Sequence, residues 1–365
     1  HRRGAGRMTW AQPERRKHLD DLDTPVVVID LDRLEANIDR LQRYMDKHKI
    51  ANRPHIKTHK VPQIARRQRE AGAAGICCQK ISEALVMVNA GLDDVLIPYN
   101  ILGQAKVTRL MRLAGRAQVR VTADSAATVK GYAQGAAKAG LGLAVLVEFD
   151  TGAHRCGVQS PNEAAALARL VTELASLRFG GLMTHPHNDQ SDDFVRATRA
   201  QLEPDGIPIP CVSYGGTPGM WDAHKRKEVT EYRAGTYVYG DRSIVRSGAM
   251  TLDQVALSVI TTVVSRPTVD RAILDGGSKT FSSDLLGLEG HGLILEYPDA
   301  HFYAMSEEHG HVDLSRCTAR PEIGERVTVI PNHACPVSNL FDRVTGVRGD
   351  EVEVVWPVAA RGTVR

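Results

Sequence analysis

Residues 142–174 read GLAVLVEFDTGAHRCGVQSPNEAAALARLVTEL. An unbroken apolar run, GLAVLVEFD, is the mark of a strand buried on both faces of a parallel sheet. A glycine-bearing loop follows, and PNEAAALARLVTEL then carries its apolar residues at helical spacing. The same alternation extends in both directions. Upstream, TPVVVID (24–30) is a β-branched run, and the segment after it puts Leu34, Ile38, Leu41 and Met45 on one helical face with Asp32 near the N-cap. RPHIKT, GICCQ, DVLIPY and QVRVTADS read as further strands, each followed by a helix; RFGGLMTHPH, PCVSYGG and TEYRAGTYVYG read as strand ends downstream. Some eight strands alternating with helices predict a (β/α)8 TIM-type barrel over residues 23–250. Residues 23–30 are also compatible with the second domain. No G-x-G-x-x-G follows the first strand, which argues against an open dinucleotide-binding sheet.

The texture changes after Gly248. SVITTVVSRPTVDRAILDGG, HGHVDL, ERVTVIPNHA and DEVEVVWPVAARG alternate apolar and polar residues between turns, so residues 251–365 are expected to form a C-terminal antiparallel β-domain. A length of 365 residues suits a barrel plus such a partner. Residues 1–22, basic and containing Gly and Pro, read as a disordered or loosely packed arm. They have no apolar stretch like that of a secretory leader. The net charge of +3 is mild, and no aromatic residues interleave with the basic ones, which excludes a nucleic-acid groove. No apolar run approaches the roughly 20 residues that span a bilayer. Six cysteines in no framework spacing point to a reducing compartment, with Cys77 and Cys78 as core residues. A cytoplasmic, soluble protein is expected.

Barrels gather reactive groups at the C-terminal ends of their strands. In PHIKTHK (54–60) that rule favours Lys57 over Lys60. Arg155, leaving the strand quoted first, offers a guanidinium to a ring nitrogen or carboxylate. Ser213–Gly219, SYGGTPG, and AGTYVYGD one strand later are glycine turns whose amides suit a phosphate, in the loops where barrels commonly bind one. A lysine, an arginine and a phosphate cradle at one barrel mouth suggest pyridoxal 5'-phosphate, which needs a lysine to carry it, a partner for its ring nitrogen and an anchor for its phosphate. In PNHACP, His333 and Cys335 are two apart. On a strand they would share a face and bind one divalent cation, leaving positions open for water and substrate. His185 and His187 close another strand end, placed for ring stacking or proton transfer.

Taken together, RPHIKTHK, GICCQKISEA, DTGAHRCGV, SYGGTP, AGTYVYGD and PNHACPVSNLFD resemble the D-threonine aldolase and D-serine dehydratase family of fold-type III pyridoxal phosphate enzymes, related in architecture to alanine racemase. The resemblance implies a barrel with a C-terminal β-domain, usually a homodimer, acting on a small D-amino acid. It implies that Lys57 carries the cofactor, that Arg155 faces the ring nitrogen, and that His333 and Cys335 hold a divalent metal (Zn, Mn or Mg). Gln79 matches a position near the cofactor. Gly215, Gly216 and Thr217, with Ser213 beside them, and Gly235, Thr236 and Tyr237 match the phosphate loops. The implied reaction is metal-assisted retro-aldol cleavage of D-threonine or a related D-3-hydroxy amino acid, with His185 or a bound water as base. The alternative is dehydration of D-serine or 3-hydroxyaspartate. Aldolases of the family often have aspartate where this chain has Cys335, and the dehydratases have cysteine.

Overall fold

The computed structural model describes residues 18–365. Two sheets organise them. The first has eight strands in the spatial order Ala51–Asn52, Glu231–Arg233, Val212–Gly215, Leu177–Met183, Leu143–Glu148, Gln118–Ala123, Asp94–Ile97 and Ile76–Cys77, with every neighbouring pair parallel. A parallel bridge between His55 and Cys77 joins its two ends. Cys77 N donates to Pro54 O (2.9 Å) and Ala74 N to Asn52 O (2.8 Å), so the sheet closes into a barrel.

The stretch quoted first shows why these residues build this unit. All six residues of Leu143–Glu148 are buried, as a strand between barrel core and helix layer requires. The helix Pro161–Glu173 starts at a capping box, in which Ser160 and Glu163 satisfy each other's amides, and Pro161 suits the first turn. It buries Ala164, Ala165, Leu167, Ala168 and Val171, a mostly small-residue face that packs close to the sheet.

The second sheet has nine strands and completes the expected barrel plus β-domain. Its spine, Leu257–Thr268, pairs antiparallel with Arg271–Leu274, with Arg326–Pro331 and with Val26–Asp30. Val26–Asp30 also pairs parallel with Arg343–Arg348. The TPVVVID segment thus lies in the second sheet, and the first barrel strand is Ala51–Asn52. Of the expected arm, residues 1–17 lie outside the described residues. The residues that follow rest on the second sheet: Leu19 N donates to Asp350 O (2.7 Å), and Leu19 and Leu22 pack beside Val28 and Ile260.

Two local expectations are corrected. RPHIKT is not a strand throughout: Pro54 has no N–H for the ladder, and after the bridge at His55 the chain turns into the 3₁₀ helix Ile56–Thr58. PNHACP is not a strand either. The strand stops at Pro331, His333 is an N-cap, and Cys335 lies in the first turn of the helix Ala334–Leu340. Asp241 causes the turn by accepting from Ala334 N (2.8 Å).

A column of charge runs through the barrel. Arg53 pairs with Asp94 (2.7 Å) and Glu231 (2.7 Å), and Arg120 with Glu231 (2.7 Å). Ser213 donates to Glu231 (2.8 Å) and accepts from Arg233 Nη1 (2.5 Å). Burial opposes ionisation of Glu231, but Arg53 and Arg120 more than offset it and hold the carboxyl down at about 2. Among the described residues no helix is long and apolar enough to cross a membrane. All six cysteines are free, with Cys77 and Cys78 buried.

Candidate active site

At the C-terminal ends of the barrel strands, against the β-domain, lies a cavity of about 400 Å³. A larger groove of about 770 Å³ runs between the helices Gln104–Ala114 and Ala126–Ala139 outside the barrel, but no His, Cys, Asp or Glu lines it. The smaller cavity holds the chemistry.

Geometry separates the two lysines of PHIKTHK. Lys60 Nζ is buried, pairs with Glu83 (2.7 Å) and donates to Ala360 O (3.4 Å). Lys57, in the 3₁₀ turn after the barrel strand, lines the cavity, and among the described residues its amine has no hydrogen-bond or ion-pair partner. His55 braces that turn. Its Nδ1 accepts from Lys57 N (3.4 Å) and its Nε2 meets Gln79 Oε1 (2.9 Å). Burial, with the charge of Lys57, keeps the His55 ring neutral.

Arg155 lies on a loop folded around Asp150, whose carboxylate accepts from the amides of Gly152, Ala153 and His154 (2.7–3.0 Å). Asp124 holds the loop's other end through Gly157 N (2.9 Å). The only carboxylate near the guanidinium among the described residues is Glu148, at 3.9 Å. Glu148 is buried at its strand end. Burial raises its carboxyl to about 7 although the Arg155 and Arg233 charges oppose the shift. A carboxyl with a raised folded-state value favours folding most while protonated in both states, and that contribution is lost as pH rises from about 4.5 through 7. Glu148→Gln should therefore melt higher than wild type, without cofactor, at about pH 8.5, by on the order of 3 kcal/mol of stability, and show little gain at about pH 4. Thermal melts at both pH values check this; an equal effect at both would reject it.

Two short 3₁₀ helices, Thr217–Lys225 and Thr236–Val238, start at Gly216 and Gly235 on one wall, and Gly235 N donates to Thr217 Oγ1 (3.3 Å). First-turn amides lack intrahelical partners. A Cβ on Gly235 would lie 3.0 Å from His55 O and Thr58 Oγ1, a contact tighter than most side chains make, so glycine suits this approach. Gly216, Thr217, Gly235 and Thr236 all line the cavity, as do Gln79 and Arg155. Ser213, Gly215 and Tyr237 do not. Ser213 belongs to the charged column, Gly215 gives room to Arg233 (3.0 Å from a Cβ there), and the Tyr237 hydroxyl is buried, accepting from Gln68 (2.9 Å).

His185 lines the same wall. Burial, then the charges of Arg233, Arg155 and Lys57, push it down to about 3. The ring is therefore neutral at neutral pH, with a nitrogen free to accept a proton though only weakly basic in the ligand-free cavity. His187 does not line the cavity; it stacks on Tyr214 (5.5 Å).

Across the cavity, His333 Nδ1 bonds to Asp284 Oδ2 (2.7 Å), and Cys335 is near enough to act on the ring's charge. Burial lowers His333, but the Cys335 sulfur and Asp284 outweigh it and bring it up to about 9. Burial raises the Cys335 thiol; the nearby His333, with Thr58 and the charge of Lys57, more than offsets it and the net shift is downward. An imidazole oriented by a carboxylate beside a thiol drawn toward thiolate is a donor set suited to a borderline cation such as Zn²⁺. Among the described residues no three His, Cys, Asp or Glu side chains converge as a closed metal cage, so any ion here keeps positions for water or substrate.

Sequence reasoning missed Arg233, Asp284, Ile244 and Leu286. Arg233 was findable, since it ends the barrel strand Glu231–Arg233. The others come from loops and a short helix with no motif.

Comparisons with known proteins identify the family and support the fold. Residues 29–243 match the alanine racemase N-terminal domain and residues 256–347 the "Putative serine dehydratase domain". The chain is 35% identical to a D-threonine aldolase of Arthrobacter over 94% of both chains. It is 30% identical to a 3-hydroxy-D-aspartate aldolase of Paracoccus denitrificans over 94% of this chain and 93% of that one. It is 31% identical to a D-threo-3-hydroxyaspartate dehydratase of Delftia over 92% and 97%. The crystal structure of a D-threonine aldolase from Filomicrobium marinum superposes with a TM-score of 0.88 at 32% identity, covering 97% of this chain and all of that one. A cysteine-to-alanine variant of the D-threo-3-hydroxyaspartate dehydratase, solved in a metal-free form, superposes at 0.83 and 29% identity over 94% and 99%. The chain belongs to the D-threonine aldolase and D-serine dehydratase family of alanine-racemase-like, pyridoxal phosphate-dependent lyases.

Proposed function

We propose that this chain cleaves D-threonine or a related D-3-hydroxy amino acid to glycine and an aldehyde. The observation that carries this reading is the unpaired Lys57 amine in one cavity with the His333–Cys335 pair. Lys57 would hold pyridoxal phosphate, Gly216, Thr217, Gly235 and Thr236 its phosphate, and Arg155 its ring nitrogen, with Gln79 and His55 bracing the lysine turn. When bound, the cofactor supplies an electron sink for the carbanion left at Cα. His333 Nε2 and the Cys335 sulfur would hold a divalent metal, which when bound supplies Lewis acidity to the β-hydroxyl.

The chain's own residues do the rest. Lys57 Nζ, when not carrying the cofactor, would deliver a proton to the substrate's Cα. Arg155 and Arg233 make the cavity positive and draw in the substrate's α-carboxylate. Asp284 fixes the His333 ring so that Nε2 keeps its aim. His185 contributes a neutral ring against Gly216.

Dehydration is the second reading, favoured by a thiol rather than a carboxylate as second donor. Product analysis of the enzyme supplied with pyridoxal phosphate, a divalent metal and D-threonine decides between them. Acetaldehyde with glycine is expected; 2-oxobutyrate with ammonia would replace the aldolase reading by the dehydratase one. Chelation should cut turnover by at least about 100-fold, with recovery on adding Zn, Mn or Mg back. Full activity after exhaustive chelation would remove the metal from the reading.

A further inference from the structure

Resting on that reading, we propose that the pocket beside His333 selects substrates whose β-carbon carries an uncharged, apolar substituent, and that Ile244 and Leu286 form the selecting wall. A hydroxyl directed to His333 and Cys335 leaves the other group on Cβ against whatever flanks that pair. Two residues flank it by construction. Ser243 N donates to Asn332 O (3.3 Å), setting the short helix Arg242–Arg246 against the residue before His333, and Ile244 lines the cavity from that helix. Asp284, bonded to His333, brings in its own loop, from which Leu286 lines the cavity two residues on.

A second carboxylate on Cβ, as in 3-hydroxyaspartate, needs a cation at this place. The arginines nearest to it are already committed. Arg242 Nη1 donates to Asn332 Oδ1 (2.6 Å) and Glu289 O (3.2 Å). Arg246 donates through Nη1 to Gly287 O (2.6 Å) and through Nη2 to Leu286 O (2.7 Å). Both guanidiniums clamp the loop that carries Leu286. Apart from His333 itself, whose ring is held by Asp284, the cavity's cations, Lys57, Arg155 and Arg233, come from the barrel. Arg233 is tied down by Thr184 O (2.9 Å) and Ser213. A carboxylate beside Ile244 and Leu286 would face two apolar side chains that offer it no hydrogen-bond donor.

The test compares kcat/KM of the holoenzyme for D-threonine, D-phenylserine and 3-hydroxy-D-aspartate. The two uncharged substrates are expected to exceed the acidic one by about 100-fold. Leu286→Lys, at a rim position, should narrow that ratio by about 2- to 5-fold, the effect of one partly exposed charge pair. Cleavage of 3-hydroxy-D-aspartate as fast as the others would overturn the inference and leave the aldolase reading standing. Cleavage of none of the three would sink the aldolase reading. The inference is then decided by titrating the cofactor's visible absorbance with two amino acids lacking the hydroxyl: tighter D-2-aminobutyrate than D-aspartate upholds it, and the reverse order rejects it.

Discussion

Lys57→Ala protein will purify without the visible absorbance of a lysine-bound cofactor and will turn over D-threonine at least about 10³-fold more slowly than wild type. Both losses have one cause, because the same amine would anchor the cofactor and carry the proton. The comparison that gives this weight is Lys60→Ala. Lys60 is as close to the motif in sequence, but its ammonium neutralises Glu83, whose side chain is fully buried. Removing it strands a charge, at a cost of about 3–5 kcal/mol of stability. Lys57→Ala should melt close to apo wild type and be inactive; Lys60→Ala should melt far lower, with any folded fraction still taking up cofactor. Retained visible absorbance in Lys57→Ala would move the attachment point elsewhere.

Glu231→Ala should cost about 3–5 kcal/mol of stability, enough to leave much of the protein insoluble. Arg53, Arg120 and Ser213 all converge on this carboxylate, and Arg53 has nowhere to go because its side chain is buried. Glu231→Gln keeps shape and one acceptor, and should lose less. The column also ends at Arg233, which lines the cavity, so a folded Glu231→Gln enzyme should show a raised KM as Ser213 loses its acceptor. Denaturant midpoints and steady-state kinetics on the two variants check both effects; a midpoint unchanged in Glu231→Ala would mean the column is not under tension.

The barrel was legible because strands covered on both faces are apolar without alternation, as in residues 143–148, and because each is followed by a helical pattern. Lys57, Arg155, Gly216 and Gly235 were legible as strand-end residues, a positional rule that needs no partner. His333 and Cys335 were chosen on the assumption of a strand. Their convergence instead depends on a turn that Asp241 enforces from far away in sequence. Asp284, Ile244 and Leu286 were invisible for the same reason: loops and a short helix from distant sequence positions meet at His333, and no local pattern marks that meeting. Ser213 and Tyr237 sit in the right motifs but serve the barrel interior, since a motif does not say which way a side chain turns.

The strand Val26–Asp30 precedes the entire barrel in the sequence yet lies between Leu257–Thr268 and Arg343–Arg348. During synthesis it leaves the ribosome early and must wait for more than two hundred further residues before either neighbour exists. An exposed β-branched strand is sticky while it waits. Assembly of the second sheet thus stitches the segment before the barrel to the segments after it, and a protein cut between barrel and β-domain would leave each half with an open seam rather than two independent folding units.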